Sequence, residues 1–190
     1  MNKWNAAMRF GVGLIALLML AGCAMMRGGP PLETAEEVDL DRYMGRWYVI
    51  ANIPYFGERG NVGGYAIYSW RDDGRIDDIY RYREGSFNAP EEELKGVAWV
   101  VDEGTNARWK VQFYWPFRFD YYIIAVDEDY QWSVVGHPSR SYAWIMSRSP
   151  EMQETLYQEL LELLDSHDFD SSTLQKVPQR PDQVGQPGFQ

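Results

Sequence analysis

Cysteine is nearly absent from this chain. Among 190 residues there is one, Cys23, so no intramolecular disulfide can form, and packing and hydrogen bonding must hold any fold outside a reducing compartment. Histidine is almost as scarce: His137 and His167 are the only two, neither sits at metal-ligand spacing, and no metal or cofactor is expected. Positive charge is also short. A formal net charge of -10 leaves no basic footprint for nucleic acid or for a polybasic hold on anionic lipid. Asp72, Asp73, Asp77 and Asp78 lack calcium-loop spacing and surround a hairpin turn, so they read as turn-forming, solvated residues. There is no Gly-x-Ser-x-Gly elbow either, and Cys23, directly after an apolar leader, is committed elsewhere, so no catalytic residue is expected and the chain is read as a non-enzyme.

What remains is abundant apolar and aromatic material. Hydrophobic residues make up 45% of the chain and aromatics 15%, enough to build one sizeable core and to exclude disorder of the whole. Residues 1–22 read as a signal peptide, with Lys3 and Arg9 ahead of the apolar run Phe10 to Leu20 and small residues Ala21 and Gly22 at its end. The ending Leu20-Ala21-Gly22-Cys23 resembles the lipobox of bacterial lipoproteins, which implies that Cys23 carries the acyl anchor and becomes the mature N-terminus. Ala24, where Asp would favour retention at the inner membrane, implies by the same resemblance sorting to the outer membrane of a Gram-negative cell. Residues 23–38 follow as a flexible tether. Residues 178–190, rich in Pro, Gln and Gly, are expected to be a disordered tail.

Between these segments the chain alternates short aromatic or β-branched runs with turn residues. Eight such runs fall at about 46–53, 64–71, 75–83, 95–102, 107–115, 119–127, 130–137 and 141–148. Their connections alternate in kind. Short polar turns around Gly74, Gly104 and Glu128 alternate with longer links that carry Tyr55, Phe56, Phe87, Phe117 and Phe119. That alternation predicts an all-β, eight-stranded antiparallel up-and-down barrel with one tight, wetted end and one wide, aromatic end. Ser149-Pro150-Glu151 then signals a helix start, and Met152, Leu156, Leu160, Leu163 and Leu164 recur at helical spacing to Ser166-His167. This C-terminal helix is expected to pack outside the barrel, followed by a short strand within 172–177.

Gly45-Arg46-Trp47 opens the first strand, Tyr121-Tyr122-Ile123-Ile124-Ala125-Val126-Asp127 forms the sixth, and Tyr142-Ala143-Trp144-Ile145-Met146-Ser147-Arg148 forms the eighth. Together these motifs resemble those of bacterial outer-membrane lipocalins and the related apolipoprotein D and temperature-induced lipocalins, over about residues 39–177. The resemblance implies a lipocalin barrel. Gly45, Trp47 and Arg148 are then structural: the first and last strands are neighbours in an eight-stranded closure, so Arg148 can stack on Trp47.

With Trp47 and Arg148 inward, strict alternation turns Val49 and Ala51 inward from the first strand and Trp144 and Met146 from the last. On the fifth, Phe113 and Trp115 share the face of Trp109 and Val111; on the third, Tyr80 and Tyr82 share that of Ile76 and Asp78. The family pattern adds Tyr68 and Tyr121. Tyr55, Phe56 and Phe117 ring the mouth. Such a lining suits a hydrophobic ligand, a fatty acid or a lysophospholipid, stored or transported at the cell envelope. Three alternatives stay open: an interior filled by its own aromatics, a scaffold or homodimer that uses the aromatic end, and a barrel enzyme.

Overall fold

The computed structural model describes residues 30–190. The chain divides into units 1–31 and 32–190, and the account concerns the second. The leader, Cys23 and the first part of the tether lie outside the described residues.

A single helical turn, α1 (Leu40–Tyr43), is capped by Asp39, whose side chain accepts from the backbone N–H of Arg42. Eight antiparallel strands follow: β1 (Gly45–Ile53), β2 (Asn61–Trp70), β3 (Ile76–Glu84), β4 (Glu92–Val100), β5 (Arg108–Gln112), β6 (Phe119–Val126), β7 (Trp132–Gly136) and β8 (Ala143–Ser147). Each pairs with its sequence neighbours, and β1 closes the ring by pairing with both β2 and β8. Closure removes the unpaired edges that an open sheet would expose. The turns joining β2 to β3, β4 to β5 and β6 to β7 include Gly74, Asn106 and Tyr130 at positive φ, so the polar end is made of tight reversals.

Helix α2 (Glu154–Ser166) lies on the outer wall, where Tyr157, Leu160 and Leu164 pack with Ile50, Ala51, Ile124, Val134, Ala143 and Ile145. Burying each such large side chain contributes at most about 1.5–3 kcal/mol. The helix begins four residues later than Ser149 as its cap would place it, with Gln153 at the N-cap, because Ser149 accepts from the N–H of Glu151 and closes a local turn instead. Strand β9 (Gln175–Lys176) then pairs with the upper part of β1.

Three expectations are corrected here. The tether is docked from Leu32 onward: Leu32 and Val38 are buried, Ala35 donates to the Ile123 carbonyl at 3.0 Å, and Val38 to that of Thr105 at 2.8 Å. The tail is ordered as well. The N–H of Gly63 donates to the Pro178 carbonyl at 2.7 Å, Gln179 Nε2 donates to the carbonyls of Val49 at 2.8 Å and Gly64 at 3.0 Å, and Phe189 bridges to Lys176. The physical reason is a seam: β1 pairs with β2 only over Gly45 to Tyr48, and the free backbone groups above that point are satisfied by residues 175–179. The folded unit is therefore 32–190 rather than 39–177.

The third correction is one of parity. A β-bulge between Val49 and Ala51 adds one residue to β1 against β8, so Val49 pairs with Met146 but Ala51 pairs with Ile145. Val49 keeps its inward direction, Ala51 turns out to the helix, and Asn52, paired with Trp144, turns in.

Candidate functional site

The polar end of the barrel is sealed from the sequence motifs upward. Gly45 has φ +98°, open to glycine, and a Cβ there would meet Arg148 Nη1 at 3.3 Å. The Arg148 guanidinium lies 3.7 Å from the centre of the Trp47 ring and donates to the carbonyls of Arg42, Arg46 and Met44 at 2.7, 2.8 and 2.9 Å. Trp47 Nε1 in turn donates to the Tyr43 carbonyl at 2.8 Å. Desolvation lowers the Arg148 pKa, and its carbonyl partners and the indole face stand in for the lost water.

Above this plug lies a packed aromatic floor. Trp109 stacks on Tyr121 with centroids 5.3 Å apart, and Tyr43 and Tyr68 meet Trp109 edge-on at 5.4 and 5.6 Å. The hydroxyls satisfy one another: Tyr121 is 3.1 Å from Tyr43 and 2.9 Å from Tyr68, and Tyr43 is 3.0 Å from Ser133 Oγ. Burial pushes the Tyr43 phenol up to about 12 and raises Tyr68 and Tyr121 as well, so these are neutral hydrogen-bonding groups rather than nucleophiles. Met146 belongs to the same core, and Phe113 packs against it.

The upper half is different in character. Val49, Tyr80 and Val177 form a buried cluster joined by Tyr82, Leu94 and Trp144, with the Tyr80 and Tyr82 rings stacked at 5.1 Å. Val177 comes from the tail through the seam. Of the residues read as ligand-lining, Val49, Tyr80, Tyr82 and Trp144 are thus brought together, while Tyr68, Tyr121, Met146 and Phe113 build or flank the floor beneath them. Two are not in the interior. Ala51 faces the helix for the reason given above. Trp115 lies beyond the end of β5 at Gln112, in a loop where a cis peptide joins it to Pro116, and its side chain is 86% exposed.

Two acids sit inside this upper half, and one comes from a loop. Glu58, from the link between β1 and β2, is 5% exposed; its carboxylate accepts from Trp144 Nε1 at 3.0 Å and from Asn52 Nδ2 at 3.0 Å. Asp78 shares the inward face of β3 with Ile76 and Tyr80 and is 4% exposed, which corrects its reading as a solvated turn residue. Burial is the leading cause that raises both carboxyls to about 7, moderated at Glu58 by the bonds from Trp144 and Asn52. A glycine-rich loop gives no periodic sign that Glu58 turns inward. Asp78, by contrast, could have been found by its place on an apolar strand face.

The four longer links gather at the other end. Phe56 at 89% exposure stands on one of them, and Tyr114, Trp115 and Phe117 stand together on another. Tyr55 is half-buried below them, its phenol raised by burial and by Glu58. Outside the barrel, a cleft of about 330 Å³ lies between α2 and the tail, lined by Ile50, Tyr157, Lys176 and Phe189 among others. Among the described residues, no group of three or more His, Cys, Asp or Glu side chains could hold a metal ion.

A lipocalin-like domain model matches residues 38–179. Temperature-induced lipocalin-1 of Arabidopsis thaliana is 36% identical over 157 residues, covering 78% of this chain and 83% of that protein. Outer membrane lipoprotein Blc of Escherichia coli K12 is 33% identical over 160 residues, covering 83% and 88%. In three dimensions the chain is similar to insecticyanin from the tobacco hornworm Manduca sexta, with a TM-score of 0.64 over 82% of this chain and 88% of the other; at 16% identity this likeness speaks for the fold alone.

Proposed function

This chain belongs to the lipocalin family, whose members are in general ligand-binding carriers, and from that premise we propose that it binds a single-chain lipid, a fatty acid or a lysophospholipid, at the cell envelope. One observation carries the reading. The barrel is sealed at one end by Arg148 and the aromatic floor, while in its upper half Val49, Tyr80, Tyr82, Leu94 and Trp144 form an apolar cluster, and exposed aromatics stand on the longer links at that end. The acyl chain lies in the upper half and the head at the rim, where water and side-chain dipoles solvate it. Each methylene removed from water contributes about 0.8 kcal/mol, and ordering the chain offsets much of the total, so affinity in the micromolar range is expected.

Titration with palmitate and with a palmitoyl lysophospholipid, followed by tryptophan fluorescence, should give a saturable change that Trp144→Phe diminishes. A linear, unsaturable response together with no co-purified lipid in native mass spectrometry would refute the carrier reading.

The envelope location rests on Cys23, which the lipobox resemblance makes the acylated anchor, and is supported by the relatives named outer membrane lipoprotein. Intact-mass measurement of the mature protein should find acyl mass that Cys23→Ser abolishes. A second reading, a scaffold or homodimer built through the aromatic end, is favoured by the exposure of Phe56, Trp115 and Phe117. Sedimentation across a concentration series, with Phe56→Ser and Trp115→Ser for comparison, separates the two.

A further inference from the structure

Two buried acids, Glu58 and Asp78, share the upper barrel with two buried polar atoms that have no hydrogen-bond partner among the described residues, Asn52 Oδ1 and the Tyr80 hydroxyl. Glu58 accepts from Trp144 Nε1 and Asn52 Nδ2, and a backbone hydrogen bond at Tyr55 adds to them. Asn52 is fully buried, and having given its amide to Glu58 it leaves Oδ1 without a donor. Asp78 stands between Ile76 and Tyr80 on the inward face of β3, flanked in the sheet by Tyr68 of β2 and Gly96 of β4. Among the described residues, its carboxylate accepts no hydrogen bond and forms no ion pair. An unpaired buried carboxylate is costly; taking up a proton relieves the cost, and so does the arrival of a donor or a cation.

Among the described residues, no side chain supplies that cation. Arg148, the basic residue of the barrel's closed end, is committed to Trp47 and to the carbonyls around α1. The polar residues that interact with the acid pair include Asn52, Tyr55, Tyr68, Tyr80 and Trp144, all neutral. A carboxylate-headed lipid placed beside Glu58 and Asp78 would add a third acid to an interior without a base. An ammonium group, with three N–H donors and a positive charge, supplies what this interior lacks.

We propose that Glu58 and Asp78 form a subsite within the barrel for the ammonium of a long-chain amine, so that among amphiphiles of equal chain length the amine is taken in preference to the carboxylate. This rests on the carrier reading and narrows it: a fatty acid binds with its head held away at the rim, whereas an amine can bring its head to the acid pair.

The test compares dodecylamine, dodecanol and dodecanoate, each below its micellar concentration, by tryptophan fluorescence and calorimetry on the whole chain. The amine should bind about tenfold or more tightly than the other two, the scale of one charge-assisted hydrogen bond. Asp78→Asn should abolish that advantage while leaving dodecanol affinity within about twofold, because the uncharged alcohol owes little to the charge. Glu58→Gln, on a loop rather than in a strand, repeats the comparison if Asp78→Asn loses the wild-type circular dichroism, and it should reduce the same advantage. If dodecanol and dodecanoate bind and the amine binds no better, the subsite is wrong and the carrier stands. An advantage that survives both substitutions also overturns the subsite. If none of the three binds, the carrier reading falls and takes the subsite with it.

Discussion

The guanidinium of Arg148, at the end of β8, covers the ring of Trp47, near the start of β1, at 3.7 Å. A single side chain thereby ties the last strand to the first and satisfies the carbonyls of Arg42, Arg46 and Met44 around α1. Arg148→Ala removes the stacking and leaves those carbonyls without their donor, so a loss of about 2–4 kcal/mol is expected in urea unfolding. Arg148→Lys should fall between the two, since it keeps the charge but loses the planar fork. Equal midpoints for wild type and the alanine variant would refute the plug.

The bulge in β1 gives a pair of variants with opposite readouts. Ala51 is fully buried against the helix-facing cluster, so Ala51→Leu should destabilise by about 1–3 kcal/mol through overpacking while leaving lipid affinity nearly unchanged in the folded fraction. Val49 faces Tyr80 inside, and Val49→Phe should weaken lipid binding with a smaller effect on stability. Thermal melts and fluorescence titrations of both proteins decide. If Ala51→Leu proves the one that blocks the ligand, the register is wrong.

These two residues also mark how far the sequence could be read. The strands and the alternation of their connections were legible because Gly74, Gly104 and the acidic turns interrupt period-2 runs, and because Gly45, Trp47 and Arg148 fall where a closed barrel needs them. Parity beyond Val49 was not legible. A bulge inserts one residue and inverts every later side chain, and it leaves no compositional mark. Trp115 was misplaced because an apolar alternation ran on past Gln112, where the strand ends. The docked tail was hidden for another reason: Pro178 and Gln179 have no local preference that matters, and their order comes from carbonyls and an N–H of β1 and β2 more than a hundred residues away. Glu58 is the same case, buried by partners on other elements.

Stability should depend on pH in the sense set by the two interior acids. Glu58 and Asp78 are raised to about 7 by burial from ordinary values of 4.5 and 3.8, so the native state holds protons that the unfolded chain has released. The stability they contribute is full below those unfolded values and is lost as pH rises through 7. Exposed carboxylates such as Glu93 and Glu154, lowered by their basic neighbours, act in the opposite direction, but solvent screens them. His137, lowered by burial, also opposes the trend as pH falls through its ordinary 6.5. A higher melting temperature at about pH 5 than at pH 8 is expected, worth on the order of 2–4 kcal/mol. The difference should shrink in the Asp78→Asn, Glu58→Gln double variant; a rise in stability with pH over the same window would contradict the burial of the pair.

The seam between β1 and β2 makes the last prediction. Above Tyr48 the two strands part, and Gln179 bridges them by donating from one amide nitrogen to Val49 on one side and Gly64 on the other, at 2.8 and 3.0 Å. Val177 fills the space between with its side chain against Val49 and Tyr80. The wall around the upper barrel is therefore completed by a segment that carries no turn of barrel strand itself. Gln179→Ala removes both bridging bonds and should cost about 1–2 kcal/mol. Deleting residues 178–190 removes the Pro178 carbonyl from Gly63 as well, and should increase amide exchange selectively at the upper ends of β1 and β2 while the floor around Trp109 and Tyr121 stays protected. Lipid release from the truncated protein should be faster than from the whole chain, because a side opening joins the rim as an exit. Exchange that rises uniformly over the barrel would mean that the tail stabilises the fold globally and closes no seam.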